Sequence, residues 1–260
     1  MIRALWTAAT GMGTQQLNLD VVANNLANIN TIGFKKARAE FQDLLYQETK
    51  KAGSETASGT QVPVGVEVGM GAKITATKKM FSQGDFKTTD NPYDLVIEGN
   101  GFFQLDDNGS NVYTRAGSFT TNKDGALCNP EGLKLVPNVT LPGETVNFQV
   151  LPDGSWQARD KNSAILASGR IELARFVNPA GLKSLGRNVY GITDSSGTAV
   201  TGSPGGTGYG TLTQNAVEMS NVNVVDEMVQ MIMGQRAYEV NTKAIQTADQ
   251  ILSLVANLKR

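Results

Sequence analysis

Both ends of this chain carry a helical pattern of apolar residues, and this feature restricts the fold more than any other. At the N-terminus the pattern recurs at alternating steps of three and four residues, the spacing of a heptad seam. Its members are Ile2, Leu5, Ala9, Met12, Gln16, Leu19, Ala23 and Leu26. The seam predicts a helix over residues 2–28, about 40 Å long, with stop signals at Asn28, Asn30 and Gly33.

The C-terminal pattern predicts a longer helix that begins at Asn223, a good N-cap, with Asp226 and Glu227 near its positive end. One stripe consists of Val224, Met228, Met231, Gln235, Tyr238, Thr242, Ile245, Asp249, Leu252 and Ala256. A second consists of Met233, Ala237, Val240, Ala244, Ala248, Ile251, Val255 and Leu258. A helix on one side of a core needs a single stripe. Two stripes therefore indicate contacts on more than one side.

Short apolar runs separated by turn dipeptides fill the middle of the chain. The predicted strands are 95–97, 102–105, 112–114, 118–120, 146–151, 170–176 and 189–192. Asn108-Gly109, Asp124-Gly125 and Asp153-Gly154 are predicted turns between them. The fold class is therefore α+β: the terminal helices pack together as a coiled-coil-like stem, and the centre is an all-β, sandwich-like or barrel-like domain.

Composition divides the chain further. Residues 48–61 and 194–210 are polar and rich in small residues, which predicts two linkers. The predicted regions are an N-terminal helical segment (1–46), a polar extension (47–70), the all-β domain (71–210), and a C-terminal strand and long helix (211–260) that pairs with the N-terminal helix.

What the chain lacks excludes most catalytic chemistry. It has no histidine, which removes the commonest general base and nearly every zinc or non-haem iron site. Its one cysteine, Cys128, excludes an internal disulfide and is predicted to be a small filler in or near a strand. A net charge of −1 disfavours nucleic acid as a partner. No catalytic residue, cofactor or metal site is predicted, and no run approaches the ~20 apolar residues of a membrane span.

Three short motifs have a chemical and a structural interpretation, and the structural one is favoured each time. Gly99-Asn100-Gly101 lacks the third glycine of a dinucleotide motif and predicts a tight turn before a strand. Asp106-Asp107-Asn108-Gly109 lacks the ligand spacing of a calcium loop and predicts a hairpin. The glycines of 203–210 lack a phosphate-loop ending and predict a flexible linker. A distant carboxylate pair for glycoside hydrolysis stays open.

The asparagine cluster at the end of the first helix is unusual, because asparagine competes for backbone hydrogen bonds and forms helices poorly. Fraying toward Gly33 explains Asn28. It does not explain Asn24 and Asn25, which lie within the seam. Their amides are predicted to bond a neighbouring backbone or amide at an interface.

These patterns coincide with a known family. The matching segments are residues 20–28 with 31–36, 99–103 with 113–119, and 220–228 with 235–239. They resemble, in order, the N-terminal, central and C-terminal motifs of the flagellar rod and hook proteins. Within that family, residues 5–12, the length of 260 residues and the polar stretch after 41–47 are similar to the distal-rod branch.

The resemblance implies a structural subunit of the distal rod, the flagellar drive shaft. It implies a helical tube with paired terminal helices inside and β domains outside, which carries torque from motor to hook. The implied partners are other copies of the chain, proximal-rod proteins, hook or hook-junction subunits, envelope bushing rings and the flagellar type III export apparatus. It further implies export without a cleaved signal and a place in the rod that crosses the periplasm, without direct membrane insertion.

The terminal helices are predicted to supply the subunit contacts. The predicted interface residues are Leu5, Met12, Leu19, Asn24, Asn25, Leu26, Asn28, Met228, Met231, Gln235, Arg236, Tyr238, Ile245 and Leu252. Within the family the alternatives are a proximal-rod or hook protein. Outside it they are an envelope glycan-active enzyme and a membrane-surface binder. The last is disfavoured because the helices carry few Lys or Arg.

Overall fold

The computed structural model describes residues 2–53, 61 and 63–258, and the chain divides into two compact units. Unit 1 comprises Met1–Leu26, Ala37–Lys78 and Asn223–Arg260, and unit 2 comprises Ala27–Lys36 and Lys79–Val222. The predicted α+β class is confirmed, since the two long helices are terminal and the residues between them are rich in strands.

Unit 1 contains both long helices and two small sheets. Its elements are α1 (Ile2–Ala27), β1 (Ala37–Asp43), β2 (Tyr46–Lys50), β3 (Val66–Gly69), β4 (Ala72–Lys79, whose last residue is counted with unit 2) and α2 (Val224–Leu258). Strand β1 pairs with β4, and β2 pairs antiparallel with β3. The predicted N-cap is confirmed, because Asn223 Oδ1 accepts a hydrogen bond from the Val225 N–H at 2.9 Å.

Unit 2 is built almost entirely from short strands. They are β5 (Phe86–Thr88), β6 (Leu95–Glu98), β7 (Phe102–Asp107), β8 (Ser110–Thr114), β9 (Thr120–Thr121), β10 (Leu127–Cys128), β11 (Lys134–Val136), β12 (Asn147–Val150), β13 (Ser155–Arg159), β14 (Ile165–Arg170), β15 (Leu173–Arg175), β16 (Lys183–Gly186), β17 (Val189–Gly191), β18 (Val200–Gly202), β19 (Thr211–Gln214) and β20 (Ala216–Glu218). One 3-10 turn lies at Pro179–Gly181.

Strand β7 is central to a nine-stranded sheet. It pairs with β8 along one edge, and with β11 and β15 along different parts of the other. The sheet continues from β8 through β17 to β16, and from β11 through β10 to β9, with β18 added beside β15. A separate sheet has the order β12-β13-β14, and two further pairs are β19 with β6 and β20 with β5.

Both faces of the central sheet are covered by apolar side chains. Neighbouring strand residues point to opposite faces, and consecutive residues of β7 accordingly enter different clusters. Phe103 lies in the main core, with Leu105, Leu127 and Leu173. Phe102 lies in a second cluster, whose other buried members are Tyr113, Ala174, Phe176, Leu182 and Tyr190. Periodicity could not predict this second cluster, because the strands are too short for an alternation to be read.

The predicted turns are confirmed, and two predicted strands are wrong in detail. Of residues 118–120 only Thr120 lies in a strand, β9, and Ser118 and Phe119 precede it. Asn108 and Gly109, both at positive φ, join β7 to β8. Residues 170–176 form two strands, because β14 ends at Arg170 and β15 begins at Leu173. Between them Ile171 is fully buried and donates its N–H to Gly154 O, so the chain leaves one sheet there for another.

The predicted linker at 194–210 is wrong. It contains β18, and the glycine-rich end is a hydrogen-bonded turn in which the Gly205 N–H donates to Gly210 O. Glycine is needed there for close packing, since a Cβ on Gly210 would lie 2.3 Å from Glu98 O. The other predicted linker, 48–61, begins inside β2, and most of its remainder lies outside the described residues.

Two smaller predictions about single residues are confirmed. Cys128 is buried in β10, where its Sγ donates to Thr120 O at 3.4 Å. Helix α1 ends at Ala27, one residue before the predicted end, and Gly33 follows at a φ of +68°. The Gly33 N–H donates to Glu218 O at 2.7 Å. A Cβ on Gly33 would lie 2.5 Å from the Ala116 N atom, so this position requires glycine.

Candidate subunit-contact surfaces

The two helices of unit 1 run antiparallel and approach one another at small or polar residues. Asn25 Nδ2 donates to Glu227 Oε2 at 3.1 Å. Further along, a Cβ on Gly234 would lie 3.0 Å from Leu19 Cδ2 and 3.8 Å from Asn18 Nδ2. Further still, a Cβ on Gly11 would lie 3.0 Å from Asn241 Nδ2. The contacts are spaced by seven residues along α2, at 227, 234 and 241, and lie at 25, 18–19 and 11 along α1. This spacing is close to that of a heptad register.

Asn25 holds one end of the helix pair in place through hydrogen bonds of its side chain. Its side-chain Oδ1 accepts the Ala37 N–H at 2.9 Å, and its Nδ2 donates to the Ala37 O at 2.8 Å as well as to Glu227. It is 2% exposed, so all of these contacts are made within one chain. The amide bonding to a neighbouring backbone predicted for Asn25 is thus intramolecular here, and this residue joins α1 to the start of β1 and to α2.

Only half of the predicted α1 seam faces inward. Leu5, Met12, Leu19 and Leu26 are partly buried, and Met12 accepts a hydrogen bond at Sδ from the Thr242 hydroxyl. The inward line is completed by the buried residues Ala8 and Val22. The other half is exposed, and it consists of Ile2, Ala9, Gln16 and Ala23. The helix is rotated from the predicted orientation, so that Ala8 and Val22, and not Ala9 and Ala23, lie on its inner face.

Helix α2 turns its small residues inward and leaves most of its large apolar ones exposed. Glu227, Gly234 and Ala248 are buried, and Asn241 is partly buried. Of the predicted contact residues, Met231 and Ile245 are partly buried. The large apolar residues of α2 that are exposed, among those whose side chains the structure describes, are Val224, Val225, Met228, Val229, Ile232, Met233, Tyr238, Val240, Ile251, Leu252 and Leu254. We call this set the α2 apolar surface.

The remaining predicted contact residues lie in different places. Gln235 and Arg236 are exposed on α2, where Arg236 forms an ion pair with Glu239 at 2.9 Å. Asn24 is exposed on α1. Asn28 belongs to unit 2, and its Oδ1 accepts the Thr31 hydroxyl at 3.1 Å. The exposed members remain predictions for subunit contact.

Unit 2 holds a buried charge cluster that the sequence analysis missed. Glu218, 1% exposed, lies between two cations. Its Oε1 accepts from Lys35 Nζ at 2.5 Å, and its Oε2 lies 3.2 Å from Arg115 Nε. Lys35 also donates to Ser82 O at 2.7 Å, and the Gly84 N–H donates to Glu218 Oε1 at 3.0 Å. We call Lys35, Arg115 and Glu218 the buried charge cluster.

Burial determines the electrostatics of this cluster. It lowers the pKa of the Lys35 ammonium, an effect that the adjacent Glu218 carboxylate opposes. Burial also raises the pKa of the nearby Tyr190 phenol to about 12. Two cations and one anion are enclosed together, so the cluster carries an excess of positive charge while Lys35 is protonated.

Each member of the cluster comes from a different segment of the chain. Lys35 follows α1, Arg115 follows β8, and Glu218 ends β20, just before α2. The sequence signal was available, because each charge lies within a largely apolar or small-residue motif: Gly33-Phe34-Lys35, Arg115-Ala116-Gly117, and Ala216-Val217-Glu218. Periodicity alone does not reveal it, since the three positions are far apart in sequence.

In the part of the chain that the structure describes, no group of three acidic, cysteine or histidine side chains is placed to hold a metal ion. Nor does either long helix, over its described length, combine the length and apolar character that crossing a bilayer requires. An extensive apolar surface on an exposed helix is a feature of a subunit that assembles with other chains.

Comparison with known proteins agrees with this class. The family model of flagella basal body rod proteins matches residues 5–35, the flagellar hook protein FlgE/F/G D1 domain matches 96–158, and the flagellar basal body rod FlgEFG C-terminal domain matches 213–258. The flagellar basal-body rod protein FlgG of Borreliella burgdorferi is 46% identical, with 100% of both chains covered. That of Agrobacterium fabrum is 44% identical over 99% of this chain and 100% of the relative. That of Bacillus subtilis is 34% identical over 100% of both.

The chain belongs to the flagellar basal-body rod protein family. It is a structural subunit of the basal-body rod and not an enzyme, which removes the glycan-active alternative. Membership places it in the rod of the flagellar basal body, where it assembles with other axial components.

Proposed function

We propose that this chain is a distal-rod subunit that self-assembles through its terminal helices into a helical tube and carries torque from the motor to the hook. The α2 apolar surface is the observation that carries the proposal. Isolated exposure of one apolar side chain is ordinary, but a contiguous apolar patch marks an interaction site. Eleven such residues lie on a single helix.

The arrangement of α1 and α2 explains why this surface remains available. The pair meets through Gly11, Gly234 and Asn241, and most of the large apolar side chains of α2 remain exposed. Neighbouring copies can therefore cover them. Exposed α1 residues such as Ile2 and Trp6 extend the same kind of surface.

The proposed place in the rod determines which other proteins this subunit would contact. Proximal-rod proteins lie at one end of a distal rod and hook or hook-junction subunits at the other, while the envelope bushing rings surround it. The flagellar type III export apparatus delivers the subunits to a tip in the periplasm. A proximal-rod or hook subunit is the alternative within the family, and it would share the same helix-mediated assembly.

The predicted extension at residues 47–70 is proposed as an added contact element of the rod. Its described part is the β2–β3 ribbon, in which every residue of β2 is exposed. Leu45 is 88% exposed beside it, and Val64 and Val66 are also exposed. A two-stranded ribbon is marginally stable alone in water. Contacts with neighbouring subunits would stabilise it and stiffen the shaft.

Electron microscopy of concentrated purified protein tests the self-assembly. Wild-type protein is expected to form rods, and Met228→Glu is expected to prevent them, because a carboxylate would have to be desolvated at the contact. Gln246→Glu is the matched control, since it places the same charge at an exposed polar position of α2. Circular dichroism checks that both variants keep their helices. Rods of normal length from Met228→Glu, or persistent monomers from the wild type, would contradict the proposal.

A further inference from the structure

The α2 apolar surface contains methionine side chains that solvent can reach. Met228 is 52% exposed and Met233 is 63% exposed. They are the only exposed residues among the methionines whose side chains the structure describes. The others are partly buried, and they are Met12, Met70, Met80, Met219 and Met231. A water-soluble reagent that attacks sulfur therefore has its best access at the α2 apolar surface.

Met12 shows the contrasting, protected environment within the same unit. Its Sδ accepts a hydrogen bond from the Thr242 hydroxyl at 3.4 Å, so a sulfur lone pair is engaged within the helix pair. Met228 and Met233 make no such bond among the described residues. Their thioether sulfurs are both accessible and free to react.

Peroxides oxidise a methionine thioether by transfer of one oxygen atom. The O–O bond of the peroxide breaks and a sulfur–oxygen bond forms, while two electrons pass from the sulfur to the peroxide. Hydrogen peroxide is thereby reduced to water. The product, methionine sulfoxide, is polar where the thioether was apolar. A single oxygen atom would therefore change the character of the α2 apolar surface.

We propose that Met228 and Met233 are modification sites at which oxidation by a peroxide stops this subunit from assembling. The proposal rests on the proposed function, because it takes the α2 apolar surface to be the contact between subunits. A sulfoxide buried at that contact would lose its hydrogen bonds to water. Helix α2 itself would keep its structure, because both side chains are exposed in the single chain.

The same geometry makes the modification specific to unassembled subunits. In a rod the contact covers both thioethers, so peroxide no longer reaches them. In a free subunit a sulfoxide remains accessible to methionine sulfoxide reductases, which restore the thioether. The reductase passes two electrons from a dithiol to the sulfoxide, and the oxygen leaves as water. Oxidation would thus hold subunits back from assembly without damaging rods already built.

Peptide mapping by mass spectrometry locates the oxidation in monomeric full-length protein treated with hydrogen peroxide. Met228 and Met233 are expected to oxidise about tenfold faster than Met12, because susceptibility follows exposure. Equal oxidation rates at all three positions would overturn the assignment of the sites.

Assembly of partly oxidised wild-type protein tests the effect without any substitution. Catalase removes the peroxide, and centrifugation then separates rods from unassembled protein. Sulfoxide at Met228 and Met233 is expected to be at least about tenfold enriched in the unassembled fraction, the effect of about one unpaired polar group at a contact. Sulfoxide at Met219, in unit 2, is the internal control and should occur equally in both fractions. Equal partition of all sulfoxides would overturn the proposal.

Two double variants separate the methionines of α2 from the rest of the chain. Met228→Leu with Met233→Leu removes both thioethers at nearly constant volume. Met80→Leu with Met219→Leu makes the same change at partly buried positions of unit 2. Rod formation after peroxide is compared with that of the same protein untreated, so that differences in basal assembly cancel.

Peroxide is expected to reduce rod formation at least about tenfold in the wild type and in the unit 2 variant, and less than about twofold in the α2 variant. Equal losses in all three proteins would place the sensitive group elsewhere and overturn the proposal. Incubation of the oxidised wild type with methionine sulfoxide reductases and dithiothreitol should restore assembly. A lasting loss would show damage beyond the thioethers and would also count against it.

Preformed rods provide the last measurement. Met228 and Met233 in rods are expected to oxidise at least about tenfold more slowly than in the monomer, because the subunit contact covers them. Equal rates would overturn the proposed protection. If untreated wild-type protein formed no rods, the proposed function would fail and the effect on assembly with it, whereas the peptide map of the monomer would still decide which methionines are modified.

Discussion

Glu218 is the residue through which three separate chain segments are joined. Its carboxylate pairs with Lys35 from the segment after α1 and with Arg115 from the segment after β8, and its own backbone oxygen accepts the Gly33 N–H. All three side chains are almost completely buried. Buried ion pairs contribute little net stability compared with apolar residues, but removing one partner is strongly destabilising.

Glu218→Gln should therefore destabilise unit 2 severely. The substitution keeps the shape but leaves Lys35 and Arg115 buried without a counter-charge, and the expected loss is about 3–5 kcal/mol. Urea unfolding followed by circular dichroism would measure it. Glu172→Gln, at an exposed position, is the control and should change stability by less than about 0.5 kcal/mol. Equal stability of the two variants would show that the negative charge of Glu218 is not needed to stabilise the buried Lys35 and Arg115.

Tyr190 makes the stability of unit 2 depend on alkaline pH. Burial raises its pKa from 10.0 to about 12 in the folded protein. Because the folded-state pKa is the higher one, this contribution is complete below pH 10 and is lost as the pH rises toward about 12. Tyr190→Phe should remove that dependence, which amounts to roughly 2–3 kcal/mol across the window. Urea midpoints of the wild type and of Tyr190→Phe, measured through this pH range, would test the assignment. Wild-type and variant curves that fall in parallel would contradict the assignment.

At the scale of elements, the helix pair shows how far sequence patterns can be trusted. The apolar period correctly predicted where α1 and α2 lie, because a 3.6-residue repeat is a property of a helix whatever it packs against. It predicted the inward face only in part. Leu19 faces α2 as expected, whereas Gln16 and Ala23 are exposed. The close contacts occur at Gly11 and Gly234, and glycine carries no apolar signal.

Prediction of the β-rich unit from sequence has a related limit: local signals are reliable, whereas contacts between distant segments are not visible. The run around Phe102 and Phe103 predicted a strand, and the Asn108-Gly109 turn predicted its hairpin with β8, because both signals are local. The buried charge cluster was not predicted, since Lys35, Arg115 and Glu218 meet only through the tertiary fold. The glycines near 205–210 were interpreted as a linker, because composition cannot distinguish a flexible glycine from one required by close packing.

Two glycines of α1 allow the helix contact to be tested with one chemical change. A Cβ on Gly11 would meet Asn241, whereas nothing lies within 4 Å of a Cβ on Gly13. Gly13→Leu should stabilise α1 by about 0.5–1 kcal/mol, because leucine favours helix more than glycine does. Gly11→Leu should instead destabilise the helix pair by about 1–3 kcal/mol, because it overpacks the contact. Thermal unfolding monitored by helical circular dichroism distinguishes them, and a gain in both variants would mean that α1 and α2 are not in contact there.

At the scale of the whole molecule, the chain combines one unit whose large apolar side chains are mostly buried with another whose longest helix exposes them. Unit 2 encloses two apolar clusters and joins its segments through a buried charge cluster. In unit 1 the helices use small residues to contact each other, and the α2 apolar surface remains exposed. A division of this kind suits a subunit whose β-rich unit folds by itself and whose helices reach full stability in contact with other copies.

The extension at residues 47–70 gives a prediction about the assembled shaft. Its two ends lie close together: Tyr46 pairs with Gly69, and the Leu44 N–H donates to Gly71 O at 2.8 Å. Deleting 47–70 would therefore join the chain without strain on β1 and β4. We expect the deleted protein still to assemble, because α1 and α2 are untouched, but into rods that are more curved and flexible, because the exposed ribbon no longer contacts neighbouring subunits.

Electron micrographs of the assembled rods would measure this effect as persistence length and curvature. A second variant, in which a Gly/Ser segment of equal length replaces 47–70, separates the ribbon from mere chain length, since such a segment is a flexible coil. It should behave like the deletion. If both variants gave rods as straight and stiff as the wild type, stiffness would have to come from α1, α2 and unit 2 alone. If only the deletion softened the rod, length rather than ribbon structure would be the cause.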